Sequence, residues 1–133
     1  MCNSNNNIES GNKLKILIVE DEIYSMMLLL EYVKSYSKEV IQAFNGEEAI
    51  SLCKNNPDID LVLMDIRIPI LDGYEATKQI RIFNKDVVII AQTARSLYGE
   101  RVIALAAGCN DYISKPLKRD SLYKLISDHF HIN

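Results

Sequence analysis

The sequence predicts an α/β fold: a five-stranded parallel sheet, doubly wound as (βα)5, with helices on both faces. Three observations carry that prediction. Five short apolar runs recur along the chain, rich in β-branched residues and mostly continuous rather than alternating, as strands buried on both faces require. Each run is followed by a longer amphipathic stretch, the rhythm of repeated strand–helix units joined by right-handed crossovers. The length, 133 residues, suits one domain able to bury about two-thirds of its unfolded surface.

Taken in order, residues 1–13, "MCNSNNNIESGNK", are Asn- and Ser-rich and read as a flexible tail or linker, with the domain over 14–133. The runs are "KILIV" (15–19), "VIQAF" (40–44), "LVLM" (61–64), "VVIIA" (87–91) and "DYIS" (111–114). Helices are expected near 23–37, 46–55, 73–83, 97–107 and 118–129. The first of these is apolar on two sides. At 100° per residue, Ser25, Leu28, Leu29, Tyr32 and Val33 form one stripe, while Ile23, Met26, Met27 and Leu30 form another nearly opposite.

Composition excludes several classes. The chain is 48% hydrophobic and 25% charged, with a formal net charge of -3 and a pI near 5.4, and it carries no basic block of the kind that binds nucleic acid. No apolar run approaches the length of a membrane span, and the N-terminus lacks the apolar stretch of a signal peptide, so a cytoplasmic protein is expected. Cys2, Cys53 and Cys109 are odd in number and widely spaced, which fits reduced thiols rather than disulfides or a metal site. His129 and His131 are read as surface residues.

Ligands of open parallel sheets bind beyond the carboxyl ends of the strands, so the residues after each run matter most. Glu20, Asp21 and Glu22 follow the first run, Asp65 the third, Gln92, Thr93 and Ala94 the fourth, and Lys115–Pro116 the fifth. Carboxylates, a hydroxyl and an ammonium are thereby predicted to meet on one rim. That set of groups fits metal-assisted phosphoryl transfer to a carboxylate. Glu20 and Asp21 offer hard oxygen ligands, and Asp65 can give one oxygen to the metal and another to phosphorus. Lys115 can neutralise phosphoryl oxygens, and Thr93 can donate a hydrogen bond to one.

The pieces "ILIVEDE", "LVLMDIRIPILDGYEATKQIR", "IIAQTA" and "AGCNDYISKPL" resemble, in order and spacing, a response-regulator receiver domain over about residues 14–130. The resemblance implies the flavodoxin-like receiver fold, Asp65 as phosphoacceptor, and Mg²⁺ or Mn²⁺ held by Glu20, Asp21, Asp65 and the backbone carbonyl of Arg67. It also implies Thr93 and Lys115 as the phosphoryl-binding pair, with Lys115–Pro116 where the family has a cis peptide, and Tyr112 as a switch residue following Thr93. The readout face would be the fourth helix, fifth strand and fifth helix. Arg67, Ala94 and Arg95 stand where side chains border the phosphoryl group, and the two arginines predict slow loss of phosphate. By the same alignment the Leu28–Leu29 stripe faces the core. The Ile23, Met26, Met27 and Leu30 stripe then resembles the surface that receivers offer to a histidine kinase dimerisation domain or a histidine phosphotransfer protein.

"AQTA" and "AGCNDYISKPL" are most similar to receivers at the C-terminal end of hybrid sensor histidine kinases, which makes that origin the favoured one over a stand-alone receiver. An unphosphorylated docking module is disfavoured because no site residue is missing. A phosphatase of the haloacid dehalogenase type needs a second aspartate where Arg67 stands. A flavin carrier needs a hydroxyl-rich phosphate loop where "EDEIYS" is acidic.

Overall fold

A computed structural model describes residues 13–94 and 99–131. Among them, strands β1 (Leu14–Val19), β2 (Ser37–Ala43), β3 (Leu61–Asp65), β4 (Val88–Thr93) and β5 (Asp111–Ser114) alternate with helices α1 (Ile23–Val33), α2 (Gly46–Asn55), α3 (Gly73–Phe83), α4 (Glu100–Ala107) and α5 (Arg119–Phe130). The strands pair in parallel, as the sequence predicts, and their order is β2-β1-β3-β4-β5. All but the last residue of the tail expected over 1–13 lies outside the described residues.

The alternation of side chains along each strand builds two cores. Ile16, Ile18, Leu61, Leu63 and Ile90 meet α1 and α5 on one face through Leu29, Val33, Leu122 and Ile126. On the other face Leu17, Val19, Val62, Met64, Ile89 and Ala91 meet α2, α3 and α4 through Ala49, Cys53, Ala76, Ile80 and Ala104. β1 and β3 are buried along their whole length, whereas β2 and β5 are largely half-exposed. Burial on both faces therefore does not extend to these two strands, because each lies at an edge with a neighbour on one side alone.

Side-chain caps start three helices. Glu22 accepts from the Ser25 N–H, Asn45 from Glu48, and Asp72 from Glu75, each satisfying a donor that the first turn leaves unpaired. Gly108, at φ 112°, ends α4 in the left-handed conformation that glycine adopts without cost. A clasp joins the starts of α3 and α4: the Tyr74 hydroxyl donates to the buried Glu100 carboxylate. Cys53 and Cys109 are buried and unpaired by disulfide, and burial pushes the Cys53 thiol up to about 11.

Two expectations for the first unit need correction. The helix expected over 23–37 ends at Val33, a short 3-10 turn covers Lys34–Tyr36, and the second strand begins at Ser37 rather than 40. Tyr36 turns inward there, 2% exposed, with its ring edge-on to Tyr123. The core face of α1 is also set differently. Met26, Leu29 and Val33 are buried, spaced three and four residues apart, while Leu28 is 46% exposed. Met26 thus leaves the expected outer stripe and Leu28 leaves the inner one; Leu30 is half-buried against the core. His129, expected at the surface, is half-buried and lies 3.3 Å from Asp111.

Candidate active site

The strand order reverses direction between β1 and β3, and the crevice at their carboxyl ends is where the acidic residues fall. Glu20 follows β1 and is 1% exposed; its N–H donates to the Ala43 carbonyl at 3.0 Å, fixing the exit of the strand. Asp65 ends β3 and is 3% exposed. Asp21 sits beside them in solvent, and one carboxylate oxygen from each of the three lies within 4.8 Å of the others.

The apolar residues before Asp65 make its strand central and rigid, and the segment after it is closely fitted. Gly73 opens α3 against the Asp65 backbone: a Cβ there would stand 2.4 Å from the Asp65 carbonyl oxygen. The Ile66 N–H donates to the Gln92 carbonyl at 3.1 Å, and the Arg67 N–H to Asp65 Oδ1 at 3.3 Å. Between them and α3, Ile70 is held at φ 72°, a left-handed conformation that a β-branched residue rarely takes.

Lys115 completes the cluster. Its Nζ lies 3.2 Å from Asp65 Oδ2 and 3.4 Å from Glu20 Oε1, and its N–H donates to the Thr93 carbonyl at 2.7 Å. The Lys115–Pro116 peptide is cis. Thr93 ends β4, 5% exposed.

One ammonium thus faces two buried carboxylates. Burial, then repulsion from Asp65, pushes Glu20 up to about 7, against the opposing pull of the Glu22 N–H and of Lys115. Burial works to lower the Lys115 pKa, but attraction by Asp65 and then Glu20 outweighs it, and the net shift is upward. The donor set is all hard oxygen, and its like charges repel at close range, which is what a small divalent cation relieves.

Glu20, Asp21, Asp65, Thr93 and Lys115, singled out in the sequence, are brought to this one rim. Tyr112 lies half-buried one strand away, packed against the core under α4. The Arg67 side chain is exposed, Ala94 borders the rim, and Arg95 lies outside the described residues. Of the proposed outer stripe of α1, Ile23 and Met27 stand in solvent at 64% and 60%, joined by Tyr24 at 77%. Sequence reasoning did not assign Tyr24, although its place one residue after Ile23 puts it on the exposed helix start. Nor did it assign a role to Gln92, whose strand position was visible.

A doubly wound sheet with an acidic trio and a lysine at this crevice is the architecture of a signalling receiver. The chain belongs to the response regulator receiver domain family, whose model matches residues 16–127. The hybrid signal transduction histidine kinase G of Dictyostelium discoideum is 41% identical over 128 residues, covering 90% of this chain and 4% of that protein. The receiver domain of the Saccharomyces cerevisiae response regulator Ssk1, solved with the histidine phosphotransfer protein Ypd1, is 34% identical with a TM-score of 0.83, covering 90% of each chain. The receiver domain of the sensor histidine kinase PA1611 from Pseudomonas aeruginosa PAO1, solved with magnesium in its active site cleft, is 35% identical with a TM-score of 0.79, covering 90% of this chain and 99% of that one. The chain spans between 4% and 27% of the length of eight curated relatives. Among the described residues no helix is long and apolar enough to cross a membrane.

Proposed function

We propose that this receiver accepts a phosphoryl group on Asp65 from a phosphohistidine donor and relays it as a conformational signal. The observation that carries the reading is the contact of Lys115 with Asp65 at 3.2 Å beside two further carboxylates, on a strand end too constrained to move aside. Glu20, Asp21 and Asp65, with the Arg67 carbonyl, would hold Mg²⁺ or Mn²⁺. Bound there, the cation supplies positive charge opposite the phosphoryl oxygens.

The chain's own residues divide the remaining work. An oxygen of Asp65 attacks phosphorus in line; the P–N bond to the donor imidazole breaks, its electron pair returns to nitrogen, and an acyl phosphate forms. Lys115 neutralises an equatorial oxygen of the group in transit, and Thr93 donates a hydrogen bond to the product. Tyr112 follows Thr93 inward, and α4, β5 and α5 form the readout face. The exposed Arg67 side chain shields the acyl phosphate from water. The raised pKa of Lys115 keeps it cationic for this task.

The phosphodonor is a histidine phosphotransfer protein or the dimerisation domain of a kinase. The similarity to the Ssk1 receiver, solved with Ypd1, favours the former class of partner. The 41% identity to a hybrid histidine kinase favours membership of a hybrid kinase chain. Docking would use Ile23 and Met27 on α1, together with Tyr24. Replacing Ile23 and Met27 by glutamate should slow transfer from a phosphorylated histidine phosphotransfer protein about tenfold, while labelling by acetyl phosphate is unchanged. Equal loss of both would refute the docking assignment.

A further inference from the structure

The fourth strand carries a polar group that phosphoryl chemistry does not use. Gln92 is fully buried on the α1–α5 side of the sheet, and among the described residues neither its Nε2 nor its Oε1 has a hydrogen-bond partner. A buried amide without partners is costly and uncommon. The other buried polar groups of this rim are paired. Glu20 accepts from the Glu22 N–H, and Asp65 meets Lys115.

Gln92 forms part of the wall of a cavity of about 410 Å³ between α1 and the segment after β5. Leu28, Leu29, Pro116 and Leu117 supply apolar walls, and Ser25 and Lys115 stand at its polar edge. Size and lining match those of small-molecule sites: mostly carbon, with a few polar groups that can orient a guest. Leu28, which the sequence pattern assigns to the core, is left 46% exposed on the side of α1 that faces this space.

From this juxtaposition we infer that the cavity is a binding site for a small neutral carboxamide with an apolar body, anchored on Gln92. The chemistry of the wall selects the class. A glutamine amide presents a donor beside an acceptor, and another amide meets it edge to edge in two hydrogen bonds. A carboxylate would set its oxygen against Oε1, and an amine would leave Nε2 without an acceptor. Lys115 is committed to Asp65 and Glu20, so it does not favour an anionic guest. The Gln92 amide atoms are closed off from solvent, so a guest reaches them as the side chains that line the cavity part. This site adjoins the phosphoryl position, since Lys115 and Ala94 line it, and its existence does not depend on Asp65 being phosphorylated.

Benzamide, benzoate and toluene share one ring and differ in the group offered to Gln92, so they serve as matched probes. Titrated into the ¹⁵N-labelled protein, benzamide should saturably shift the backbone signals of Ser25, Leu28 and Leu117 and the side-chain amide signals of Gln92. It should bind about tenfold tighter than toluene, and benzoate should bind weakest of the three. Gln92→Leu should remove the benzamide advantage while toluene binding persists, and that persistence shows the pocket is still folded. Leu28→Trp, which fills the cavity from an exposed helix position, should block both probes. The site is overturned if no probe shifts these residues at millimolar concentration. It is overturned equally if benzamide and toluene bind the wild type alike, or if Gln92→Leu leaves the benzamide affinity unchanged.

Discussion

The two ends of the same sheet handle charge in opposite ways. At the amino ends of the strands, Arg81 donates to the Gly108, Asn84 and Val87 carbonyls and to Asn110 Oδ1 at 2.7–3.2 Å, and Lys15 meets Asp58 at 2.9 Å and Asn56 at 3.2 Å. Both of these cations have more than one acceptor: Arg81 ties α3 to the loops that start β4 and β5, and Lys15 ties β1 to the segment before β3. At the carboxyl ends the ratio reverses: two buried carboxylates share one ammonium, and Glu20 is pushed up to about 7. One end is a closed polar network that holds the fold. The other is left electrostatically unsatisfied, which costs stability and leaves affinity for positive charge.

The sharpest way to break this contrast is to remove the amino-end keystone. Arg81→Met should lower unfolding stability by about 3 kcal/mol, since three backbone carbonyls and Asn110 lose a donor at once. Urea unfolding measures it, and a loss below about 1 kcal/mol would mean that solvent replaces these bonds.

Both networks draw on residues whose roles were unequally visible in the sequence. The rim was legible because each of its groups stands just after one of the predicted strands, so the parallel sheet and the position of Glu20, Asp65, Thr93 and Lys115 came together. The Arg81 network was not, since its acceptors are backbone carbonyls of loops that no side-chain pattern marks. The face of α1 was misread for a different reason. A helix apolar on nearly every side gives periodicity no preferred direction, and packing against β1, β3 and α5 chose Met26 over Leu28. The early start of β2 at Ser37 followed from Tyr36 turning into the core, a tertiary event.

A second prediction concerns the unsatisfied rim. Glu20 is raised from 4.5 to about 7 in the folded protein, so between those values the folded state holds more protons than the unfolded chain. The stability this contributes is present below about 4.5 and is lost as pH rises through about 7. In EDTA the wild type should therefore lose on the order of 2 kcal/mol relative to Glu20→Gln between about pH 5 and pH 8. Saturating Mg²⁺ should flatten that slope in the wild type alone. Parallel pH profiles for the two proteins would remove the electrostatic strain from the picture.

The smallest expected effect sharpens the comparison within the rim itself. Ile70, 69% exposed at φ 72°, occupies a conformation that costs a residue with a side chain about 1–2 kcal/mol. Ile70→Gly should relieve it and, after the entropy glycine adds to the unfolded chain, raise stability by about 0.5–1 kcal/mol. A decrease in the urea midpoint would show that the Ile70 side chain makes contacts worth more than the strain.

The proposed function requires Asp65 to be a phosphoacceptor made competent by its carboxylate and lysine neighbours. Intact mass after incubation with acetyl phosphate and Mg²⁺ tests it most directly, with Asp65→Asn measured alongside. The wild type should gain one phosphoryl group, about 80 Da, in a Mg²⁺-dependent manner, and Asp65→Asn should gain none. Equal labelling of both proteins, or no labelling of the wild type with Mg²⁺ present, would contradict it.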